Sequence, residues 1–391
     1  MSRHFRQRAG QEQRATWLEL FFDLVYVFAV TQLSHYLLDH YSWGGAIEML
    51  ILLLVVWWAW IYTTWMANWF DPDAVPVRIV LIGVMLLSLL MAVAIPTAFG
   101  ANGLLFAGSY VLLQVLRNAF NVVVAEPGSP WRASFQRILA WSLLVAPLWL
   151  AGALVEGRAR LVVWVCALAL DYLGPAVRYW TPGLGRSPTT DWSIEGGHFA
   201  ERFQLFIIIA LGESIVVTGA TASDAGVTGV VMAALSVAFL GSAALWWLYF
   251  DRVAVSAQAR LRNAPDRERL GRDAYTYLHI PIVAGIVLTA VGDEIAIAHP
   301  RDVEGMSAAL AIAAGPALYL IGHQLFRLRM TGTTSAARSV AILALLALLP
   351  LGELMTTLAL LTVAASVLFL LVGYETRERV LLSRTQPSST A

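Results

Sequence analysis

Two carboxylates stand in a stretch of the sequence that is apolar enough to cross a membrane. Glu19 and Asp23 lie within TWLELFFDLVYVFAVTQLSHYLL, directly after an arginine-rich leader. An ionised carboxylate at membrane depth costs several kcal/mol unless it has a partner or water. At about 100° per residue, the two acids share one helix face with Tyr26 and Val30, whereas Phe28 is on the opposite face. The spacing therefore predicts an acidic face directed into the protein, where it serves an internal path or an ion-pair network.

A second set of ionisable groups lies in the segment GGHFAERFQLFIIIALGESIVVTG. His198, Glu201 and Arg202 stand near its start, and Glu213 lies about 18 Å further along a helix. This depth places Glu213 near the bilayer midplane, beside Gly212, where a small residue lets another helix approach closely. A carboxyl that becomes neutral by taking up a proton suits proton coupling, so Glu213 is the leading candidate for a coupling site.

The other ionisable groups in or near apolar segments complete the candidate site. His279 stands beside a helix-bending proline, and Asp293 lies toward the other end of the same segment. We expect the intramembrane polar or transport site to contain Glu19, Asp23, Glu201, Arg202, Glu213, His279 and Asp293. The expected ion-pair partners are Arg117, Asp171, Arg178, His198 and His323. Such groups also pair simply to pin helices together, and this structural alternative stays open.

The composition shows which elements must position these groups. Of the 391 residues, 59% are hydrophobic and 13% are charged, and the charged share is about half that of a soluble protein. Apolar runs of about 18 residues or more recur from end to end, which is the length that a bilayer core demands. The sequence therefore predicts an all-α polytopic membrane protein.

Twelve candidate spans are separated by arginines and by Gly/Pro/Asp clusters. They lie near 17–38, 45–67, 77–96, 102–122, 134–154, 159–179, 200–220, 226–249, 273–297, 306–326, 336–352 and 354–374. With a cytoplasmic N-terminus, 23 of the 26 arginines belong to the inner side, and only Arg158, Arg160 and Arg301 belong to the outer side. This asymmetry follows the positive-inside rule, so both termini are expected in the cytoplasm of a multi-pass protein of the bacterial inner membrane.

The two halves of the chain carry similar motifs in the same order. ELFFDLVYV at Glu19 has a counterpart in ERFQLFIII at Glu201, and WWAWIY near Trp57 recurs as WWLYFD at Trp246. Six spans in each half give a 6+6 parallel duplication, as in transporters with two like-oriented halves. The expected segments are a cytoplasmic leader 1–15, a six-helix repeat 16–180, a cytoplasmic linker 181–199, a second repeat 200–375 and a cytoplasmic tail 376–391. Chance similarity among Leu- and Trp-rich helices is the alternative.

No motif indicates an enzyme. The sequence has no Gly-rich phosphate loop, no His-Glu-x-x-His and no nucleophile elbow, so no catalytic residue is assigned. The single Cys166 excludes disulfides within the chain and multi-cysteine metal sites. His198, His279 and His323 could meet to hold haem or a metal, but three scattered histidines are weak evidence, and we expect neither metal nor cofactor.

The expected partners follow from the same composition. The formal net charge is zero, so bulk electrostatics favour no acidic partner, and nucleic acid is not expected. The lipid bilayer and a small ion or solute are the expected partners, and a homo-oligomer stays open.

Three blocks of the sequence resemble the bacterial low-temperature-requirement A family. They are TWLELFFDLVYVFAV from Thr16, HFAERFQLFIIIALGES from His198 and YTYLHIPIVAGIVLTAVGDE from Tyr275. The family's Glu-Leu-Phe-Phe-Asp-Leu-Val is intact from Glu19 onward, whereas Gln204 stands where its second block usually has glycine. The resemblance covers nearly the whole chain. It implies a multi-pass membrane protein linked by name to growth in the cold, with no settled biochemical activity.

The first block is also similar, more distantly, to the first-helix pattern of potassium channels built from six-helix units. Asp23 matches the aspartate of that pattern, and Phe22 stands where those channels have serine. In the second half Leu205 aligns with Asp23, which argues against a symmetric channel and leaves an asymmetric pore or a carrier.

These observations favour a transporter-like or channel-like protein that moves a small ion or solute, with proton coupling as an option. One alternative is a membrane-embedded enzyme or sensor that acts on lipid or a redox cofactor during cold stress. A purely structural or assembly protein is the other alternative.

Overall fold

The computed structural model describes residues 5–6, 14–188, 194–251 and 253–385. Among these residues the ordered elements are helices, and no β-strand forms. Much of the predicted leader 1–15, part of the linker 181–199 and residues 386–391 of the predicted tail lie outside the described residues.

Twelve of the described helices are long and apolar enough to cross a membrane, as the sequence predicts. We call them span 1 to span 12: Trp17–Asp39, Trp43–Trp69, Val75–Thr97, Gly103–Val124, Pro130–Leu154, Gly157–Ala176, Gly196–Asp224, Gly229–Phe250, Arg267–Ala298, Gly305–Thr331, Ala336–Glu353 and Thr357–Leu381. Spans 11 and 12 are separate helices, because a 3₁₀ turn at Leu349–Glu353 ends the first of them. A further helix, Val253–Arg262, precedes span 9. The sequence does not predict it, since this arginine-rich segment has no long apolar run.

Span 1 begins with a side-chain cap that also positions the first acid. The Glu19 N–H donates to Thr16 Oγ1 at 3.4 Å, and the Thr16 N–H donates to Glu19 Oε2 at 2.8 Å. This capping box satisfies two backbone donors that a helix start otherwise leaves without partners. Glu19 is thereby held in the first turn of span 1, with one carboxylate oxygen already engaged.

The two faces of span 1 are the ones that its periodicity predicts. Glu19, Asp23 and Tyr26 are at most 1% exposed, whereas Phe21 is 58% exposed and Phe28 is 36% exposed. The prediction that the acidic face is directed into the protein is confirmed.

Contacts divide the chain into two compact units. The first unit comprises Met1–Ile209 and Gln258–Thr276, and the second comprises Ala210–Ala257 and Tyr277–Ala391. The chain therefore passes between the units three times, within span 7, within the helix Val253–Arg262 and within span 9. The six-helix repeats 16–180 and 200–375, and their origin by duplication, stay a prediction.

Within the second unit, spans 9 and 10 pack backbone against backbone. Gly285 and Gly292 in span 9 are seven residues apart, and so are Gly315 and Gly322 in span 10. A Cβ added to Gly285 would lie 2.5 Å from the backbone nitrogen of Tyr319, and one added to Gly292 would lie 2.7 Å from facing backbone atoms. Small residues at such interfaces let membrane helices approach this closely.

Arg160, one of the three arginines expected on the outer side, connects the ends of two spans. Its side chain is 4% exposed. It donates to the backbone carbonyls of Ala98, Gly100, Gly152, Ala153 and Val155. These carbonyls lie at or just beyond the ends of spans 3 and 5, where a helix leaves its last acceptors without internal partners. Arg160 therefore stabilises two helix ends.

The orientation of the spans is an expectation that reporter fusions test. If the N-terminus is cytoplasmic, the loops after spans 1, 7 and 9 lie outside, because the inner side holds nearly all the arginines. Fusions at residues 40–42, 225–227 and 299–304 should then report the outside, and fusions after span 12 should report the cytoplasm. Paired alkaline-phosphatase and fluorescent-protein fusions measure both. An external report after span 12 would contradict this topology.

Candidate functional site

Within the first unit, the acidic face of span 1 meets a basic face of span 7. Glu19 and Asp23 are four residues apart in span 1, and His198 and Arg202 are four residues apart in span 7. Residues at this spacing are neighbours on a helix surface, so the two pairs lie against each other. All four residues are at most 1% exposed. We call these four residues, together with Arg6, the ionic cluster.

Glu19 has three basic neighbours in the ionic cluster. Its Oε1 accepts a hydrogen bond from His198 Nε2 at 2.8 Å, and its Oε2 accepts one from Arg6 Nη2 at 2.7 Å. Arg202 Nη1 lies 3.5 Å from Glu19 Oε1. The carboxylate is therefore compensated on both oxygens.

Asp23 is less completely satisfied. Its Oδ1 accepts hydrogen bonds from Arg202 Nη2 at 2.6 Å and from Trp60 Nε1 at 2.9 Å. Among the described residues, Asp23 Oδ2 and Arg202 Nε have no hydrogen-bond partner. A buried polar atom without a partner costs about 1–3 kcal/mol, so this end of the ionic cluster retains unused hydrogen-bonding capacity.

Asn68 sets the tautomer of His198. The Asn68 side-chain oxygen accepts from the Glu195 N–H at 2.8 Å, and Asn68 Nδ2 donates to the Glu195 carbonyl at 3.1 Å, which orients the amide. Asn68 Nδ2 then lies 3.0 Å from His198 Nδ1. Since the amide nitrogen only donates, His198 Nδ1 accepts and Nε2 carries the proton given to Glu19. A neutral His198 leaves two arginines and two carboxylates in the ionic cluster, so their charges balance.

Two other expected site residues of the first unit, Glu201 and Arg178, lie outside the ionic cluster. Glu201 Oε2 accepts a hydrogen bond from the Ala15 N–H at 3.1 Å, so it anchors the segment that precedes span 1. Arg178 is exposed and forms no ion pair with any described residue. Its φ of 57° lies in the left-handed region, as does the φ of 49° at Tyr179.

Arg117 and Asp171 do not form the expected ion pairs with described residues. Arg117 Nη1 donates to the Ala59 carbonyl at 3.2 Å and to Thr63 Oγ1 at 3.1 Å. Asp171 Oδ2 instead accepts from a tyrosine hydroxyl and an indole N–H. Neutral partners therefore form hydrogen bonds with each of these groups in place of a direct charge partner, although Arg117 Nε has no partner among the described residues.

The second unit contains an ion pair that the sequence does not predict. Arg338 in span 11 donates from Nε and Nη2 to the two carboxylate oxygens of Glu375 at 2.8 and 2.9 Å. Its Nη2 also donates to the Leu248 carbonyl at 3.0 Å, and its Nη1 donates to His323 Nδ1 at 2.8 Å. His323 therefore contacts an arginine rather than a carboxylate. In the sequence, Arg338 near the start of span 11 could have indicated a buried ion pair. An arginine at that position equally indicates the cytoplasmic end of a span.

The other expected site residues of the second unit are buried at separate positions. His279 Nε2 lies 3.0 Å from the Tyr249 hydroxyl. Glu213 is 1% exposed and Asp293 is 3% exposed. Within the described part of the chain, Asp293 Oδ2 has no hydrogen-bond partner. A Cβ added to Gly212 would meet no described atom within 4 Å, so the expected close helix approach at that glycine is wrong.

The three histidines considered as metal or haem ligands are engaged in the contacts just given. Among the described residues, one group has ligand atoms close enough together to hold a metal ion: His299, Asp302 and Glu304. All three are exposed, and His299 Nδ1 lies 3.3 Å from Asp302 Oδ2. Exposed acidic groups of this kind are common without a metal ion.

Twelve apolar helices with acidic and basic groups buried between them define a polytopic α-helical membrane protein. The sequence profile described as "Bacterial low temperature requirement A protein (LtrA)" matches residues 14–373. The chain belongs to this family, as the three sequence blocks indicate.

A relative supports the assignment without adding an activity. The chain is 40% identical over 324 residues to "Uncharacterized protein RA0937" of Rhizobium meliloti (strain 1021), covering 82% of this chain and 78% of that protein. No solved structure matches the chain.

Proposed function

We propose that this protein moves a small ion or solute across the bacterial inner membrane, with the ionic cluster as part of the path. The observation that carries this proposal is that Asp23 Oδ2 and Arg202 Nε, buried in spans 1 and 7, have no hydrogen-bond partner among the residues that the structure describes. Ionisable groups at membrane depth are rare and often mark ion paths or proton relays.

If the ionic cluster only held helices together, its buried polar atoms should all have hydrogen-bond partners. A network that only pins helices gains most when every buried polar atom has a partner, because each missing hydrogen bond costs stability. Glu19 meets that expectation, since both of its oxygens are compensated. Asp23 Oδ2 and Arg202 Nε do not, as far as the described residues extend. A proton, a water or a small ion at this position would be stabilised by the carboxylate oxygen or the guanidinium N–H.

Buried carboxyls in the second unit supply a means of coupling to protons. Glu213 and Asp293 are both nearly inaccessible. A carboxyl changes its charge by one unit when it takes up a single proton, and such acids form the proton relays of membrane transporters. We propose Glu213 as the coupling carboxyl because of its depth in span 7.

Flux measurements in proteoliposomes test this proposal. Across a panel of K⁺, Na⁺, H⁺ and Cl⁻, we expect the protein to transport at least one ion. Asp23→Asn should lower that flux by more than about tenfold, equivalent to about 1.4 kcal/mol, because it removes the acceptor charge. Phe28→Leu, on the exposed face of the same helix, is the matched control and should keep its flux. Glu213→Gln should remove the pH dependence of flux while the protein remains monodisperse.

The same experiment can refute the proposal. Flux through the unaltered protein that is no faster than through protein-free vesicles, for every ion tested, would argue against transport of these ions. A larger loss in Phe28→Leu than in Asp23→Asn would show that the acidic face is not part of the path. An unstable Glu213→Gln variant that keeps pH-dependent flux would make Glu213 a structural residue.

A further inference from the structure

A small cavity lies within the first unit, and none of its lining residues belongs to the ionic cluster. Its volume is about 10 Å³, which is the space that one water molecule needs. Spans 2, 4, 5 and 6 and the residues just after span 6 form its wall. The lining residues are Trp58, Tyr62, Gln114, Ile138, Trp141, Ser142, Asp171 and Tyr179.

A directed chain of hydrogen bonds connects this cavity to a buried arginine. Arg117 Nη2 donates to Gln114 Oε1, and Gln114 Nε2 donates to the Tyr110 hydroxyl at 2.8 Å. The Tyr110 hydroxyl donates in turn to Asp171 Oδ2 at 2.9 Å. Every link points from the cation toward the carboxylate, so each bond polarises the next.

Both hydrogen bonds to the Asp171 carboxylate from described residues end on the same oxygen. Tyr110 and the Trp149 indole N–H, the latter at 3.0 Å, donate to Oδ2. Oδ1 is therefore the oxygen available to a water in the cavity. Asp171 also keeps partial exposure although it lies within span 6. Its carboxyl thus has one oxygen held by two hydrogen bonds and one oxygen that accepts none from the described residues.

The residues just after span 6, which form part of the cavity wall, have an unusual backbone conformation. Arg178 and Tyr179 both adopt positive φ, at 57° and 49°, and no other described residue except glycine does so. This conformation is costly for side chains larger than glycine and persists where the surroundings enforce it, often at functional sites. It brings the Tyr179 hydroxyl into hydrogen-bonding contact with the Tyr62 hydroxyl. Both tyrosines line the cavity.

We propose that Asp171 is a proton-binding site that exchanges its proton through a single water in this cavity. On uptake, a proton from the water forms an O–H bond at Oδ1, the water is reprotonated from solvent, and no electron is transferred. Oδ2 keeps its bonds from Tyr110 and Trp149 in both states, so exchange requires no rearrangement of those helices. Among the described residues, the other ionisable groups that line the cavity or reach Asp171 through the hydrogen-bond chain are Tyr62, Tyr179, Tyr110 and Arg117.

This site goes beyond the proposed function, and its test does not involve transport. Infrared difference spectra of the reconstituted protein, recorded against pH, should contain a carboxylic-acid C=O band of Asp171 that is replaced by a carboxylate band, beside the bands of the other carboxyls. Asp171→Asn should remove that pair of bands, and Asp171→Glu should shift it. Asp302→Asn, at an exposed loop position, is the control and should leave the bands unchanged.

Tyr179→Phe tests the route of exchange. Loss of its hydroxyl opens the pair with Tyr62, so the Asp171 C=O band should shift on transfer to D₂O several-fold faster than in the unaltered protein. Bands that persist in Asp171→Asn and do not shift in Asp171→Glu would overturn the proposal. Unchanged D₂O exchange in Tyr179→Phe would overturn the role of the tyrosine pair.

Discussion

Replacement of Arg202 by methionine is expected to lower the stability of the protein by about 3–5 kcal/mol, because removal of one partner leaves a buried charge uncompensated. Arg202 is 1% exposed and provides the 2.6 Å contact to Asp23, which has no other described cationic neighbour within ion-pair distance. Methionine keeps much of the aliphatic volume, so the loss of stability is due more to the missing charge than to poorer packing. The apparent Tm of the detergent-solubilised protein measures it.

A double variant separates the charge from the cavity that the substitution creates. Asp23→Asn in the Arg202→Met background removes the uncompensated carboxylate, so it should recover a large part of the loss. Neighbouring residues of this kind give non-additive effects in such a cycle. Arg78→Met is the matched control: Arg78 pairs with Asp73 at 3.0 Å, but both side chains are largely exposed, and exposed pairs contribute about 0–1 kcal/mol. Equal Tm shifts in Arg78→Met and Arg202→Met would refute the argument.

The direction in which a helix face points could be predicted from the sequence, because it depends on a local repeat. Acids at positions 19 and 23 recur at the helical period, and a charge in a lipid-facing position is costly. Both conditions are properties of span 1 itself and do not depend on which helices surround it. The twelve spans follow for the same reason, since length and apolarity are properties of each segment by itself.

The partner of each buried group could not be predicted, because it depends on which helices meet. Asp171 was expected in an ion pair, but hydroxyl and indole donors from spans 4 and 5 instead donate to its Oδ2. Arg338 and Glu375 are 37 residues apart in sequence, and nothing in either segment indicates the other. Positively charged residues near a span end have two explanations, topology and pairing, and a single sequence does not separate them.

The glycines of spans 9 and 10 likewise have partners that could not be predicted from the sequence. Their seven-residue spacing is visible in the sequence, but glycine is common in membrane helices, and spacing alone does not identify the facing helix. In the structure Gly285 and Gly292 face the backbone of span 10. In contrast, Gly241 in span 8 and Gly373 in span 12 would accept a Cβ without meeting any described atom within 4 Å.

Alanine substitution should therefore destabilise the protein at a glycine that faces another backbone, and should not destabilise it at a glycine with open space beside it. Gly285→Ala is expected to destabilise the protein by about 1–3 kcal/mol, the usual cost of an overpacked core. Its Cβ would lie 2.5 Å from Tyr319 N and 2.9 Å from the Gly315 carbonyl oxygen. Those atoms belong to the backbone, so no side-chain rotation relieves the contact and the two helices must separate.

Gly373→Ala and Gly241→Ala are the matched controls, since each makes the same chemical change in a helix interior. Alanine is favoured over glycine there by up to about 1 kcal/mol, so both variants should raise the apparent Tm or leave it unchanged, while Gly285→Ala lowers it. Helix propensity thus predicts that a Gly→Ala substitution raises the stability, whereas close packing of the two spans predicts that it lowers the stability. The sign of the Tm change identifies which effect dominates. A Gly285→Ala variant as stable as Gly373→Ala would show that spans 9 and 10 do not pack backbone to backbone in the protein.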